Sequence, residues 1–206
     1  LERRLRAPLG EGGLMLGYAR AFGAVAVVQA LGATGFAVWV CGLDIAGPVW
    51  LLVVIALFDA LLGTALGLLA SGFARTEFQA VQFMPAFVLP QFLLCGLLVP
   101  RELLPPALEA ISDVLPLSYA VDAMKDVSAL ADPVGDVLPS LGVMVLWVAV
   151  ALLLSGIFGN LLDRFMRGYV VDFLHFHYQR EWSWPSFNVA DSCICVAAAL
   201  LFIGGI

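Results

Sequence analysis

Two apolar runs, residues 21–43 and 137–160, constrain this chain more than any other feature, because neither contains a charged side chain. A helix needs about 20 mostly apolar residues to cross the hydrocarbon core of a bilayer. The whole chain is 62% hydrophobic and 13% charged, whereas soluble domains are about 45–50% apolar and about 25% charged. We therefore expect lipid to be the solvent around most of this chain.

Three further apolar segments have a similar length. The five candidate spans are residues 21–43, 48–74, 78–99, 137–160 and 189–206. Asp59 interrupts the second span, and Pro85 and Pro90 lie inside the third. The sequence predicts an all-α fold, a polytopic bundle of about five transmembrane helices.

The segment between the third and fourth spans, residues 101–136, predicts an additional short helix. Its apolar side chains recur at helical spacing, at Leu104, Leu108, Ile111 and Leu115. Such a helix can lie amphipathically on the outer membrane interface. A helix packed on the bundle has the same pattern, and the sequence leaves both arrangements open.

Basic side chains indicate which way the spans run, because cytoplasmic loops are enriched in Lys and Arg. The arginines near the cytoplasmic ends would be Arg3, Arg4, Arg6, Arg20, Arg75, Arg164, Arg167 and Arg180. Residues 101–136 instead hold seven acidic residues against two basic ones, which suits the outside. The fourth span should then run inward and deliver the segment after it to the cytoplasmic side.

The sequence lacks the residues that several functions require. The chain has no GxxxxGK[ST] phosphate loop, so it cannot bind ATP by that route. With a formal net charge of −6, it also lacks a basic run for nucleic acid. Its four cysteines lie in apolar stretches, where we expect packing rather than a disulfide or metal site, and we expect no cofactor. The chain begins at Leu1, so we expect a fragment or a processed product.

Residues 1–155 carry a first family resemblance. The motifs TEFQ at 76–79, LVPRE at 98–102 and PLSYAVDAM at 116–124 follow one another around a proline-broken span. In this order they resemble the permease subunit of type-2 ABC exporters. The resemblance implies efflux driven by a separate ABC ATPase subunit, a second permease copy, and a place in the bacterial cytoplasmic (inner) membrane.

Three polar residues of this part are candidates for transport. Asp59 lies inside a span, where a carboxylate is costly and a functional role is the default hypothesis. The alternative is a protonated or interface-facing packing residue. Glu77 and Gln79 lie where the second and third spans meet water.

A second resemblance covers residues 156–206. The blocks GNLLDR at 159–164, GYVVDF at 168–173 and FNVADS at 187–192 together resemble the C-terminal part of lipoprotein signal peptidase, also called signal peptidase II. The resemblance implies that Asp172 and Asp191 are catalytic. They would cleave a diacylglyceryl prolipoprotein just before its lipid-modified cysteine, without a metal or cofactor.

Two carboxylates that share a site tend to hold one proton between them. The ionised member would act as general base toward a water, and the protonated member would polarise the scissile carbonyl. Asn160, Arg164 and Asn188 match the polar residues around this pair in the family. The two asparagines could hold the carboxylates, and Arg164 could brace the loop or contact lipid headgroups. Helix capping and interface anchoring are the alternative roles.

The two resemblances meet near Ser155–Gly156, which predicts one domain over 1–155 and another over 156–206. Three hypotheses stay open: an aspartic endopeptidase with a permease-derived anchor, a transporter subunit with a replacement anchor, and a fused or truncated product inactive in both roles. The predicted orientation weighs against proteolysis. The aspartates would face the cytoplasm, whereas the second resemblance implies that lipidated substrates are presented outside.

Overall fold

A computed structural model describes residues 11–74, 76–172, 174, 177–178, 182–183 and 185–205, without the side chains of 11–19, 77, 177–178 and 182–183. Arg3, Arg4, Arg6, Arg75 and Arg180 lie outside the described residues. The described helices are α1 (Glu11–Gly35), α2 (Val49–Phe73), α3 (Glu77–Leu94), α4 (Pro106–Val114), α5 (Pro116–Ala129), α6 (Val134–Arg167) and α7 (Val189–Ile203). A π-helical turn, Phe36–Val40, continues α1, and a 3-10 turn, Arg101–Leu103, precedes α4. Two short antiparallel strands, β1 (His177–Tyr178) and β2 (Trp182–Ser183), lie between α6 and α7.

The predicted all-α membrane bundle is confirmed, and each predicted span contains a helix. Among the described residues, three helices are long and apolar enough to cross a bilayer: Arg20–Val40, Val49–Phe73 and Val134–Arg167. The other two predicted spans contain shorter apolar helices, α3 with 18 residues and α7 with 15. At 1.5 Å per residue, α7 reaches only about 23 Å, less than the roughly 30 Å of hydrocarbon.

The longest helix, α6, has 34 residues, which corresponds to about 51 Å. It therefore exceeds the hydrocarbon thickness by roughly 20 Å, and its last turns can carry polar side chains beyond the apolar core. These turns contain Asn160, Asp163 and Arg164.

The helix predicted between the third and fourth spans is present as α4, and a second helix that was not predicted, α5, follows it. Proline is favoured in the first turn of a helix, and α4 and α5 each have one there, Pro106 and Pro116. Because Pro116 also restricts the residue before it, α4 ends at Val114. The buried contact of α4 is polar: Ser112 is fully buried and its hydroxyl donates to the carbonyl of Leu94 at 2.7 Å.

Helices α2 and α6 pack side by side and run parallel. Their first turns share one buried cluster, which includes Ile55 of α2 and Val137 of α6. Further along, Ala65 packs in a second cluster with Ala151. The C-terminal end of α2 is therefore at the same end of the bundle as the C-terminal part of α6.

Helix α7 runs back along α6 in the opposite direction, and glycine allows the close approach. A Cβ on Gly156 would lie 2.4 Å from the carbonyl oxygen of Ala190 and 2.6 Å from Cγ1 of Ile194. Near its other end, Leu200 joins the second buried cluster. Helix α7 consequently begins beside the C-terminal part of α6, at the end of the bundle that holds Phe73.

Candidate functional site

The candidate site lies where the chain leaves α6 and enters α7. Helix α6 ends at Arg167 and is capped by Gly168, whose φ of +81° is left-handed and favours glycine. The amide of Gly168 donates to the carbonyl of Arg164 at 2.9 Å and closes the helix. Just beyond it, the amide of Val171 donates to Oδ2 of Asp163 at 3.4 Å. These contacts fold the chain back toward the end of α6 just before Asp172.

A pair of backbone hydrogen bonds brings this segment beside the start of α7. The amide of Leu174 donates to the carbonyl of Phe187 at 2.8 Å, and the amide of Phe187 donates back at 2.9 Å. Leu174 is 2% exposed, so its side chain anchors the bridge in the apolar interior. Asp172, two residues before Leu174, and Asn188, the residue after Phe187, are thereby held close together.

Asn188 and Asp191 form a reciprocal capping box at the N-terminus of α7. The amide of Asp191 donates to Oδ1 of Asn188 at 2.9 Å, and the amide of Asn188 donates to Oδ2 of Asp191 at 3.1 Å. Asn188 is 5% exposed. The box fixes both side chains relative to the first turn of α7.

The side-chain amide of Asn188 also joins the two aspartates. Its Nδ2 donates to Oδ1 of Asp172 at 3.0 Å and to Oδ1 of Asn160 at 3.0 Å. Asn160 then donates through its own Nδ2 to Oδ1 of Asp191 at 2.8 Å. We name these four residues, Asn160, Asp172, Asn188 and Asp191, the aspartate cluster.

The two carboxylates of the aspartate cluster have different surroundings. Both oxygens of the half-buried Asp191 accept hydrogen bonds, one from Asn160 and one from Asn188. Asp172 is exposed and accepts through Oδ1 alone from the described residues. Asp191 is thus held by donors on both oxygens, whereas Oδ2 of Asp172 has no partner among the described residues.

The other predicted supporting residue, Arg164, does not join the cluster. Its side chain is exposed and makes no hydrogen bond or ion pair with the described residues. Its neighbour Asp163 does contribute, since it accepts from the Val171 amide and pairs with Arg167 at 3.4 Å. Asp163 belongs to the GNLLDR block, so its position in that motif was the available signal for it.

The predicted transport residues lie elsewhere in the bundle. Asp59 is midway along α2, among residues of α1, α3 and α5. The backbone amide of Gln79 donates to Oγ1 of Thr76 at 3.2 Å and caps α3. The side chain of Glu77 is outside the described residues. Within the described part of the chain, no three His, Cys, Asp or Glu residues converge as a metal site would require.

The bundle and the aspartate cluster define a multi-pass helical membrane protein with a pair of carboxylates at one end. Residues 1–128 match the family model described as ABC-2 type transporter, and the chain belongs to that family. Residues 140–206 match the model described as signal peptidase (SPase) II. The chain thus joins segments of two membrane families, as the two resemblances predicted.

Curated relatives align with the C-terminal part. A lipoprotein signal peptidase of Polynucleobacter necessarius is 56% identical over 59 residues, 29% of this chain and 36% of the relative. That of Teredinibacter turnerae is 59% identical over 54 residues, 26% of this chain and 32% of the relative. The chain therefore spans about a third of the length of these relatives. No solved structure gives a significant match.

Proposed function

We propose that the C-terminal segment is the catalytic half of an aspartic endopeptidase of the signal peptidase II type. Its substrate would be a diacylglyceryl prolipoprotein, cut just before the lipid-modified cysteine. The observation that carries this proposal is the side-chain amide of Asn188, which joins Asp172 to the hydrogen-bonded network of Asp191. Two carboxylates held in this way can share the acid and base roles of peptide hydrolysis.

In the proposed mechanism Asp191 is the general base, because donors to both of its oxygens hold it in place. Each oxygen keeps a second lone pair with which it can accept a proton from a water. That water would attack the scissile carbonyl. Asp172, protonated on Oδ2, would donate a hydrogen bond to the carbonyl oxygen and later a proton to the leaving amine. The exposure of Asp172 leaves it accessible to a substrate.

Detergent micelles give the most direct test, because both ends of the bundle are accessible there and orientation does not matter. The full chain would be incubated with a synthetic diacylglyceryl-modified prolipoprotein peptide, and products would be read by mass spectrometry. We expect cleavage before the modified cysteine, and at least a hundredfold loss in Asp172→Asn and in Asp191→Asn, the scale of one acid–base group. The matched control is Asp132→Asn, which removes an exposed carboxylate at the opposite end of α6. Absence of cleavage by the unaltered chain in micelles, or cleavage that survives both Asn variants, refutes the proposal.

A second candidate function is that of a permease subunit driven by a separate ABC ATPase, in the bacterial cytoplasmic membrane. It is favoured by the family membership of residues 1–128. It is also favoured by the parallel course of α2 and α6, which puts the aspartate cluster at the end of α2 that the arginines predict to be cytoplasmic. A substrate presented on the outer side would not reach the cluster in a membrane.

Co-expression with the ABC ATPase subunits of the same genome tests this candidate. We expect one ATPase to co-purify with the chain, and equally with the Asp172→Asn variant, because the cluster has no part in that contact. Failure to retain any ATPase contradicts the permease role. Failure of both this assay and the micelle assay leaves the third hypothesis, a product inactive in both roles.

A further inference from the structure

Asp59 has an unusual position for a carboxylate. It lies in the middle of α2, a span whose 25 residues include no other charged side chain. It makes no hydrogen bond or ion pair with any of the described residues, although it is partly buried. A carboxylate at membrane depth without a partner is costly, and such residues commonly face a ligand or a pathway.

The space beside Asp59 is large and is created by small side chains. A cavity of about 630 Å³ lies between α1, α2 and α3, with Asp59 in its wall. Alanine and glycine form most of the α2 side of this wall, at Ala56, Ala60, Gly63, Gly67 and Ala70. A Cβ added at Gly63 or Gly67 would meet no atom within 4 Å, so the space at these positions is open.

The lining of the cavity restricts what could neutralise the charge. Polar side chains in the wall besides Asp59 are Gln29 and Thr64, and the Thr64 hydroxyl already donates to the carbonyl of Ala60 at 2.8 Å. A dehydrated metal ion prefers about six or more oxygen ligands, which this wall does not offer. A cation that carries its own apolar surface needs only the carboxylate and the apolar wall.

A second cavity, also of about 630 Å³, adjoins the first, and Asp59 and Met124 line both. Lys125 lies in the wall of this second cavity, and its Nζ donates to the carbonyl of Gly96 at 3.0 Å. No ion pair joins Lys125 to Asp59. Met124 has a flexible, polarizable side chain that can adapt to different ligands between the two spaces.

We propose that these two cavities form a binding site for amphiphilic organic cations, with Asp59 as the counter-ion. The apolar groups of the ligand contact the alanine- and glycine-lined wall, and its positive charge pairs with the Asp59 carboxylate. The site is independent of the aspartate cluster and needs no ATPase in order to bind. Its test therefore stands apart from both candidate functions above.

Tetraphenylphosphonium, a bulky apolar cation, is a suitable probe, and tetraphenylborate has the same shape with the opposite charge. Binding of labelled tetraphenylphosphonium would be measured by equilibrium dialysis on the full chain in phosphatidylcholine nanodiscs, with equal lipid in every sample so that uptake by lipid cancels. We expect Asp59→Asn to weaken binding by about tenfold or more, the scale of one charge-assisted contact. Asp132→Asn, which removes a carboxylate outside the spans, should bind as the unaltered chain does.

A second pair of variants tests the cavity rather than the charge. Gly63→Leu fills open space in the wall and should also weaken binding by about tenfold, since burying a Leu-sized group there excludes the probe. Gly142→Leu makes the same change at an open position of α6, away from Asp59, and should have no effect. Unchanged affinity in both Asp59→Asn and Gly63→Leu overturns the proposal. Equal binding of tetraphenylborate and the cation also overturns it, as does uptake no greater than that of empty nanodiscs.

Discussion

The rings of Phe73 and Phe158 lie 4.8 Å apart, centroid to centroid, with their planes inclined at 56°. Phe73 is the last residue of α2, and Phe158 lies in the C-terminal part of α6. This contact links the end of the last span before the TEFQ motif to the turns that carry GNLLDR. The aspartate cluster and the α2–α3 junction therefore lie at one end of the bundle, and we expect them on the same side of the membrane.

Cysteine labelling tests this shared side. In a background without the four native cysteines, we expect Thr76→Cys and Asp172→Cys to react with a membrane-impermeant maleimide added from the same side. Asp132→Cys, between α5 and α6, should react from the other side. Labelling of positions 76 and 172 from opposite sides would show that α2 and α6 are not parallel in the membrane.

The fold was predictable to the extent that it depends on hydropathy summed over successive residues. Hydropathy over about 20 residues identified the five apolar helices, because membrane insertion responds to that sum. It did not locate their ends: α1 begins at Glu11, ten residues before the predicted span, and α6 continues to Arg167. Helix ends depend on local contacts such as the left-handed turn at Gly168.

The candidate site was predictable in its residues but not in its geometry. The three sequence blocks indicated Asp172, Asp191, Asn160 and Asn188, which the structure brings together. Their catalytic and supporting roles stay predictions, as does that of Arg164. The Leu174–Phe187 bridge and the two donations from Asn188 depend on how distant segments meet in three dimensions, which no spacing along the chain expresses.

The two tasks of Asn188, capping α7 and joining the aspartates, can be separated by substitution. Asn188→Ser keeps an oxygen that can accept from the Asp191 amide but loses the Nδ2 donor. We expect it to retain most of the stability of the chain while prolipoprotein cleavage falls by about tenfold or more, the scale of one oriented hydrogen bond. Asn188→Ala should in addition lower the free energy of unfolding by about 1 kcal/mol through loss of the cap. Thermal melts in detergent and the micelle assay supply the two measurements, and equal effects of Ser and Ala on both would contradict the separation.

The α6–α7 contact should be intolerant of a single added methyl group at Gly156. Gly156→Ala places a Cβ against backbone at 2.4 Å, so the helices must separate. We expect a loss of about 1–3 kcal/mol, as for other overpacked sites, measured by denaturation in detergent. The control is Gly142→Ala in the same helix, where a Cβ meets nothing within 4 Å. That variant should be neutral or gain up to about 1 kcal/mol, because alanine favours helix more than glycine does.

Arg101 links three elements at the other end of the bundle, and its removal should be costly. Its guanidinium donates to Asp113 at 3.3 Å and to the half-buried Asp122. We expect Arg101→Ala to lower stability by about 1–2 kcal/mol, chiefly because Asp122 loses its partner. Adding Asp122→Ala to that variant should recover part of the loss. The exposed Arg20 provides a control, and Arg20→Ala should change the melting temperature little.

Asp126, on α5, should make the stability of the chain depend on pH. Its pKa is raised above the ordinary value of 3.8, first by burial and then by the negative charges of Asp136 and Asp122. The folded state thus binds this proton more tightly than the unfolded state, and stability is lost as pH rises from about 3.8 through the raised pKa. At pH 7 Asp126→Asn should therefore stabilise the chain, by less than about 1 kcal/mol because solvent screens the group.

The stabilisation by Asp126→Asn should disappear in acid, whereas the effect of a packing change would not depend on pH. Melts of Asp126→Asn and the unaltered chain should converge below about pH 3.8, where the carboxyl is protonated in both states. The Asp136→Asn background removes the neighbouring charge that raises the pKa of Asp126 more than Asp122 does. In that background, the gain from Asp126→Asn at pH 7 should be smaller. A gain that is constant from pH 3 to pH 8, or unchanged in the Asp136→Asn background, would mean that the carboxyl charge is not its cause.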